Sequence, residues 1–370
     1  MKYYIIAGEA SGDLHASNLI KELKLIDSDA DFRCWGGDLM QEQGATIVKH
    51  YRDLAFMGFA EVLMNIKTIL SNLAFCKEDI KKYLPDVIIF IDYPGFNLKI
   101  AEWAKAEHFK TFYYISPQIW AWKQNRVHKI KKCVDKMFVI LPFEKDFYQK
   151  FEMEVDFVGH PLLDAIANRN KLPFETFCKE NGLLNKPIIA LLPGSRKQEI
   201  SKMLPILLSV VKQFDDYQFV IAGAPSQEKS FYEPYLLNKN ISLLDNKTYQ
   251  LLEQSTAALV TSGTATLETA LFKVPQVVCY KGNKISYLIA RAIIKVKYIS
   301  LVNLIMDKEV VTELIQDKLT KKNLAKELNK LLATENRPNI IKEYTDLHNK
   351  LGGNGASKRT AQLMTQYLTN

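Results

Sequence analysis

At 370 residues the chain exceeds what a single hydrophobic core normally supports, so two domains are expected. Hydrophobic residues make up 48% and charged residues 24%, which excludes bulk disorder, and a formal net charge of +8 points to anionic partners. No basic helix or aromatic RNA-binding motif accompanies that charge, so nucleic acid is not an expected partner. Five cysteines, at 34, 76, 133, 178 and 279, are scattered and form no CxxC pair. They read as reduced thiols of a cytoplasmic protein. The chain opens directly on a strand, so no signal peptide is expected, and it holds no run of about 18 apolar residues that could span a membrane.

Residues 3–7 predict a strand running into Gly8-Glu-Ala-Ser-Gly-Asp13, with a helix over 14–25. The glycines stand four apart and do not make GxGxxG, so a dinucleotide cofactor is discounted. Glu9, Ser11 and Asp13 have two readings: the floor of an active site, or a tight turn with an acid at a helix start. A second strand is expected over 32–35, before Gly36-Gly-Asp38. Within 59–73, Phe59, Val62, Leu63, Ile66, Ile69, Leu70 and Leu73 form one helical stripe flanked by lysines. Such a stripe either faces a core or sinks into acyl chains while lysines meet anionic headgroups, and periodicity does not separate the two.

The run 85–91 is continuously apolar, which predicts a strand buried on both faces in a parallel sheet. It delivers Asp92-Tyr-Pro-Gly-Phe-Asn97 to the carboxyl edge, where ligands sit in open α/β sheets. Asp92 beside aromatic side chains is a candidate general base; a plain turn-forming role is the alternative. A strand over 111–115 ends in Ser116-Pro-Gln-Ile-Trp-Ala-Trp-Lys-Gln-Asn-Arg126, where Trp120, Trp122, Lys123 and Arg126 suit a lipid-linked phosphate or, for the tryptophans, a core. Strands over 136–140 and 155–158 follow, and His160 reads as a hydrogen-bonded loop residue. No HxH or HExxH pattern occurs, so no metal is expected.

A domain boundary is placed near 165, with a first domain over 1–165, a second over 166–345 and a terminal helical segment over 346–370. The second α/β series begins at 188–192 and opens onto Pro193-Gly-Ser-Arg-Lys-Gln-Glu-Ile200. There Arg196 can grip a diphosphate bidentately or pair with Glu199. Strands are expected at 218–222, 257–260, 275–280 and 298–301, and residues 313–316 look helical. The 257–260 strand feeds Ser262-Gly-Thr-Ala-Thr-Leu-Glu268. Ser262, Gly263, Thr264 and Thr266 crowd where a helix N-terminus would meet a phosphate, and Glu268 stands where a ribose diol could be held; helix capping is the competing reading. Gly352-Gly-Asn-Gly355 breaks the chain before a last helix over 356–368.

Taken together, Gly8–Asp13, Ser116–Arg126, Leu192-Pro-Gly-Ser-Arg196, Ser262–Glu268, Asn303-Leu and Gly355-Ala-Ser-Lys-Arg-Thr360 resemble the lipid-A-disaccharide synthase family from end to end. The resemblance implies an α/β, GT-B architecture: two Rossmann-like domains with parallel sheets facing across a cleft, the first binding acceptor and membrane, the second UDP-sugar. It implies an inverting glycosyltransferase that moves 2,3-diacylglucosamine from UDP-2,3-diacylglucosamine to the 6-hydroxyl of 2,3-diacylglucosamine 1-phosphate. Asp92 becomes the base, with Glu9, Ser11, Asp13, Trp120 and Arg126 on the acceptor side. Arg196, Ser262, Gly263, Thr264, Thr266, Glu268 and Asn303 become the UDP site, and no cofactor is implied. Phe59, Leu63, Ile66, Leu70 and Leu73 become a docking surface on the inner membrane of a Gram-negative cell. Family members can dimerise with exchanged terminal segments, and the glycine break permits such a homodimer. Where the family motif carries Ala and Asp, this chain has Tyr93 and Gly95, leaving the acidic role to Asp92. A UDP-sugar epimerase, which needs no lipid-facing helix, and a non-catalytic sugar-nucleotide binder, which has no need of Asp92, remain as alternatives from other classes.

Overall fold

The structure, a computed structural model, describes residues 1–54, 66–167, 172–283 and 297–369. It divides into two compact units, 1–167 with 351–370, and 168–350. In the first, β1 (Lys2–Ala7), β2 (Asp31–Gly36), β3 (Thr46–His50), β4 (Val87–Ile91), β5 (Thr111–Tyr114), β6 (Lys136–Val139) and β7 (Asp156–Phe157) form one parallel sheet ordered β3-β2-β1-β4-β5-β6-β7. In the second, β8 (Ile188–Leu192), β9 (Gln218–Gly223), β10 (Ile241–Asp245), β11 (Ser255–Thr261), β12 (Gln276–Tyr280) and β13 (Thr312–Ile315) are also parallel, ordered β10-β9-β8-β11-β12-β13.

Burial explains why the central strands were legible. Every residue of β4 (VIIFI) and of β8 (IIALL) is buried, because helices cover both sheet faces. Two further strands escaped the sequence reading: β3 and β10 are edge strands whose residues are mostly half-buried, so they lack a continuous apolar run. The strand expected at 298–301 is corrected. Leu301–Met306 is a short helix, and the last strand is β13, Thr312–Ile315, overlapping the stretch 313–316 that reads as helical. Pairing with β12, Val278 opposite Glu313, overrides the local preference.

The first helix starts at Ala10, earlier than expected, so Ser11 and Asp13 sit in its first turn rather than in a loop. The terminal helix Ala356–Thr369 packs against this first helix, Ala10–Ile26. Asp164 accepts the backbone amides of Gly355 (2.5 Å) and Ser357 (2.9 Å), which anchors that return.

Candidate active site

Each sheet has a point where strand order reverses, between β1 and β4 in one unit and between β8 and β11 in the other. Helices leave on opposite faces there, so the carboxyl ends of the two strands splay and open a crevice. Ala7 pairs with Ile91, so Gly8-Glu9 and Asp92 emerge side by side. Leu192 pairs with Val260, so the loops carrying Arg196 and Ser262 emerge together as well.

At the first switch point, Asp92 and Tyr93 both take left-handed backbone angles (φ 42° and 47°). For non-glycine residues this costs of order 1–3 kcal/mol each. The strain is held by two bonds to the Asp92 carbonyl, from the Tyr113 hydroxyl (2.5 Å) and Asn97 Nδ2 (2.8 Å). Burial first, then the negative charge of Glu9, raises the Asp92 carboxyl to about 6. A carboxylate so placed is mostly ionised at neutral pH yet more basic than an exposed one, as a general base requires. Gly8 lies under the Tyr93 ring so closely that any Cβ would strike it. Glu9 is half-buried and Ser11 exposed at this edge.

Asp13 faces the other way. It is buried, and its carboxylate accepts the amides of Gly37 (2.8 Å), Leu39 (3.1 Å) and Met40 (3.2 Å). The acid therefore ties the β2 turn to the first helix, and its contact with an acceptor is withdrawn. The two tryptophans differ: Trp120 is half-buried, edge-on to Phe143 and packed against the margin of the core cluster, whereas Trp122 is 51% exposed. Trp122 carries Lys123 and Arg126 over its ring, at 4.1 and 5.9 Å. Trp120 thus rests on the core from its margin, and Arg126 stays with the exposed ring.

Of the apolar stripe, Phe59 and Leu63 lie outside the described residues. On the helix Ile66–Tyr83, Leu73 turns inward to the core and is corrected from the docking surface. Ile66 and Leu70, one turn apart, are 50% and 57% exposed. No helix among the described residues is long and apolar enough to cross a membrane, and no three of their His, Cys, Asp and Glu side chains gather as a metal set.

At the second switch point Arg196 is exposed at the start of the helix Lys197–Leu208. Gly194 before it has φ 106°, and the Glu199 carboxylate folds back over it to accept the Ser195 amide at 3.3 Å. A side chain at 194 would collide with that acid, so the loop needs glycine for two reasons. Gly263 is different: its backbone is extended and a Cβ there would meet nothing within 4 Å. The fold itself has no need of glycine at 263, and the space above the loop stays clear. Thr264 is exposed at the first position of the helix Thr264–Leu271, whose first amides lack an intrahelical acceptor, while the Thr266 amide donates to the Gly263 carbonyl at 3.2 Å.

Thr266 and Asn303 of this constellation are committed internally. Thr266 is fully buried and its hydroxyl donates to the Gly263 carbonyl at 2.8 Å, so its side chain is corrected from ligand contact to loop closure. Asn303 is fully buried too, with Nδ2 donating to the Val311 carbonyl (2.8 Å) and Glu313 (3.0 Å). It is likewise corrected from direct contact with UDP. Glu268 is half-buried and accepts the Tyr249 hydroxyl at 2.7 Å, which fixes the carboxylate that would meet a ribose.

A family model described as lipid-A-disaccharide synthetase matches residues 3–367. The lipid-A-disaccharide synthases of Coxiella burnetii (strain CbuK_Q154) and Psychromonas ingrahamii are 38% and 39% identical, covering 97% and 99% of this chain and 96% and 97% of their own. The chain belongs to the lipid-A-disaccharide synthase family. As a member it is an enzyme, a glycosyltransferase of lipid A synthesis. Among solved structures, UDP-GlcNAc 2-epimerase from Neisseria meningitidis bound to UDP-GlcNAc is similar with a TM-score of 0.67 at 14% identity, covering 99% of this chain and 100% of that one. The glycotransferase of kitacinnamycin is similar with a TM-score of 0.68 at 14% identity, covering 99% of each chain. At such identity the likeness establishes the GT-B type of fold alone.

Within this synthase the sequence reading missed Tyr113, Tyr249 and Glu313. Tyr113 and Tyr249 act from a neighbouring strand and from a helix 19 residues upstream of Glu268, separations at which no spacing rule operates. Asn97 lay in the quoted motif, but its bond to the Asp92 carbonyl depends on the left-handed turn.

Proposed function

We propose that the enzyme transfers 2,3-diacylglucosamine from UDP-2,3-diacylglucosamine to the 6-hydroxyl of 2,3-diacylglucosamine 1-phosphate. The reaction is one displacement with inversion. Asp92 takes the proton from the acceptor hydroxyl as that oxygen attacks the anomeric carbon, and the bond from that carbon to the diphosphate oxygen breaks. Arg196 offsets the charge on departing UDP, the amides of Gly263 and Thr264 receive phosphate, and Glu268 holds the ribose. Glu9 keeps Asp92 basic, while Ser11 and Arg126 lie on the acceptor side. The observation that carries the reading is Asp92: a strained, partly desolvated carboxyl at the switch point, raised to about 6. The first unit, 1–165 in this reading, takes acceptor, and 166–345 takes the nucleotide.

Both substrates carry acyl chains, so the reading needs a membrane surface. Exposed Ile66 and Leu70, beside exposed Lys67, support docking on the inner membrane, with the enzyme otherwise in the cytoplasm. The deciding experiment is product mass spectrometry after mixing the protein with the two substrates, with no metal added. Appearance of disaccharide 1-phosphate and UDP supports the reading. Absence of product in the presence of detectable UDP binding would sink the acceptor half of it.

A further inference from the structure

Residues 299–303 are gathered by a single acid. The Glu313 carboxylate on β13 accepts the Ile299 amide at 3.0 and 3.2 Å, the Ser300 amide at 2.9 Å and Asn303 Nδ2 at 3.0 Å. Asn303 Oδ1 in turn accepts the amides of Val310 (2.8 Å) and Val311 (2.9 Å), closing the loop between that segment and β13. Ser300 and Asn303 have no exposed surface. Holding a carboxylate against such buried surroundings is costly unless it is bonded; Oε1 accepts three donors here and Oε2 shares the Ile299 amide. In return, charge-assisted bonds fix geometry more firmly than neutral ones would.

The segment so fixed reaches the nucleotide loop. The Ser262 hydroxyl donates to the Ile299 carbonyl at 3.0 Å, immediately before Gly263. Its only proton is therefore committed inward, and Ser262 has none left to donate to a phosphate in this rotamer. What it does instead is fasten the loop edge to 299–303; with the Ser262 amide also held by the Cys279 carbonyl (3.1 Å), phosphate recognition falls to the amides of Gly263 and Thr264 and to the Thr264 hydroxyl.

We propose that Glu313 is a positioning residue of the donor site. Through Ile299 it sets the Ser262 hydroxyl, and so holds the phosphate loop in its binding shape before the nucleotide arrives. The proposal rests on the donor-site reading above and deepens it. Glu313→Gln keeps the size of the side chain but removes the charge and turns one acceptor into a donor that faces other donors.

The experiment is calorimetric titration of UDP into wild type, Glu313→Gln, Ser262→Ala and the double variant. UDP affinity should fall about tenfold or more in Glu313→Gln, the scale of one lost charge-assisted bond. The double variant should bind no worse than Glu313→Gln, because both changes break one chain of contacts. In turnover assays the donor KM should rise while the acceptor KM stays put, a split that general loosening would not produce. Wild-type affinity in a folded Glu313→Gln, or strict additivity in the double variant, overturns the proposal and leaves the donor site standing. Failure of the wild type to bind UDP removes the donor-site reading and the proposal together. Should Glu313→Gln not fold, amide exchange on the wild type decides. UDP should slow exchange at 299–303 together with 262–266, and slowing confined to 262–266 overturns the proposal.

Discussion

The two switch points share a topology and differ in almost everything else. Between β1 and β4 the edge is closed: Tyr93 lies on Gly8, the backbone is strained, and burial pushes the Asp92 carboxyl up. Between β8 and β11 the edge is open: Arg196, Gly263 and Thr264 are exposed, and nothing occupies the space where a Gly263 side chain would go. A base gains from partial desolvation, whereas a diphosphate needs exposed amides and a fixed cation. One fold thus supplies two environments by changing what covers the strand ends.

The largest test of this contrast is Asp92→Asn. Turnover should drop about a hundred- to ten-thousandfold, the usual worth of a general base. UDP affinity should stay unchanged, so single-turnover kinetics beside a UDP titration check both halves. Equal losses in both would erase the distinction between the edges. Arg196→Ala should do the reverse, weakening UDP by about 1.5–3 kcal/mol, as expected for a charged hydrogen bond. Unchanged affinity in calorimetry would remove Arg196 from the diphosphate.

The two glycines sharpen the comparison further. Gly8→Ala should destabilise the fold by about 1–3 kcal/mol, because the Tyr93 ring must move. Gly263→Ala should leave stability within about 0.5 kcal/mol while UDP binding weakens. Urea melts paired with UDP titrations separate these outcomes. On the helix Ile66–Tyr83, Leu73→Ser should cost about 2–4 kcal/mol, whereas Ile66→Ser with Leu70→Ser should instead release the protein from anionic vesicles. Vesicle flotation that is indifferent to the outward pair would end the docking reading. The smallest effect concerns pH. kcat/KM should fall as pH drops through about 6, where Asp92 takes up its proton. Glu9→Gln should move that break to lower pH, since Glu9's negative charge raises the Asp92 carboxyl; an unmoved break would uncouple the pair.

Much of this was legible in the residues. Continuous apolar runs at 85–91 and 188–192 announced buried parallel strands, and the small polar motifs after such strands pointed to their carboxyl ends. The misreadings cluster where polar residues have two employers. Asp13, Thr266 and Asn303 belong to motifs of the right chemistry, but each spends its hydrogen bonds inside the chain, on backbone groups and, for Asn303, on Glu313 as well. A sequence shows that a residue can donate or accept; it does not show to whom. Trp120 and Trp122 stand two positions apart on a short helix, yet one is half-buried against the core and the other exposed.

By itself the sequence determined the class of fold, the family and the segments that carry chemistry, because hydrophobic periodicity and short motifs are local properties. Only the tertiary structure decided strand order, and with it which loops meet at a switch point, since pairing such as Ala7 with Ile91 joins residues far apart in the chain. It alone turned Leu73 inward and Leu70 outward, and made Glu313 a strand residue whose carboxylate holds 299–303, because burial and hydrogen-bond partners exist only once the chain is packed.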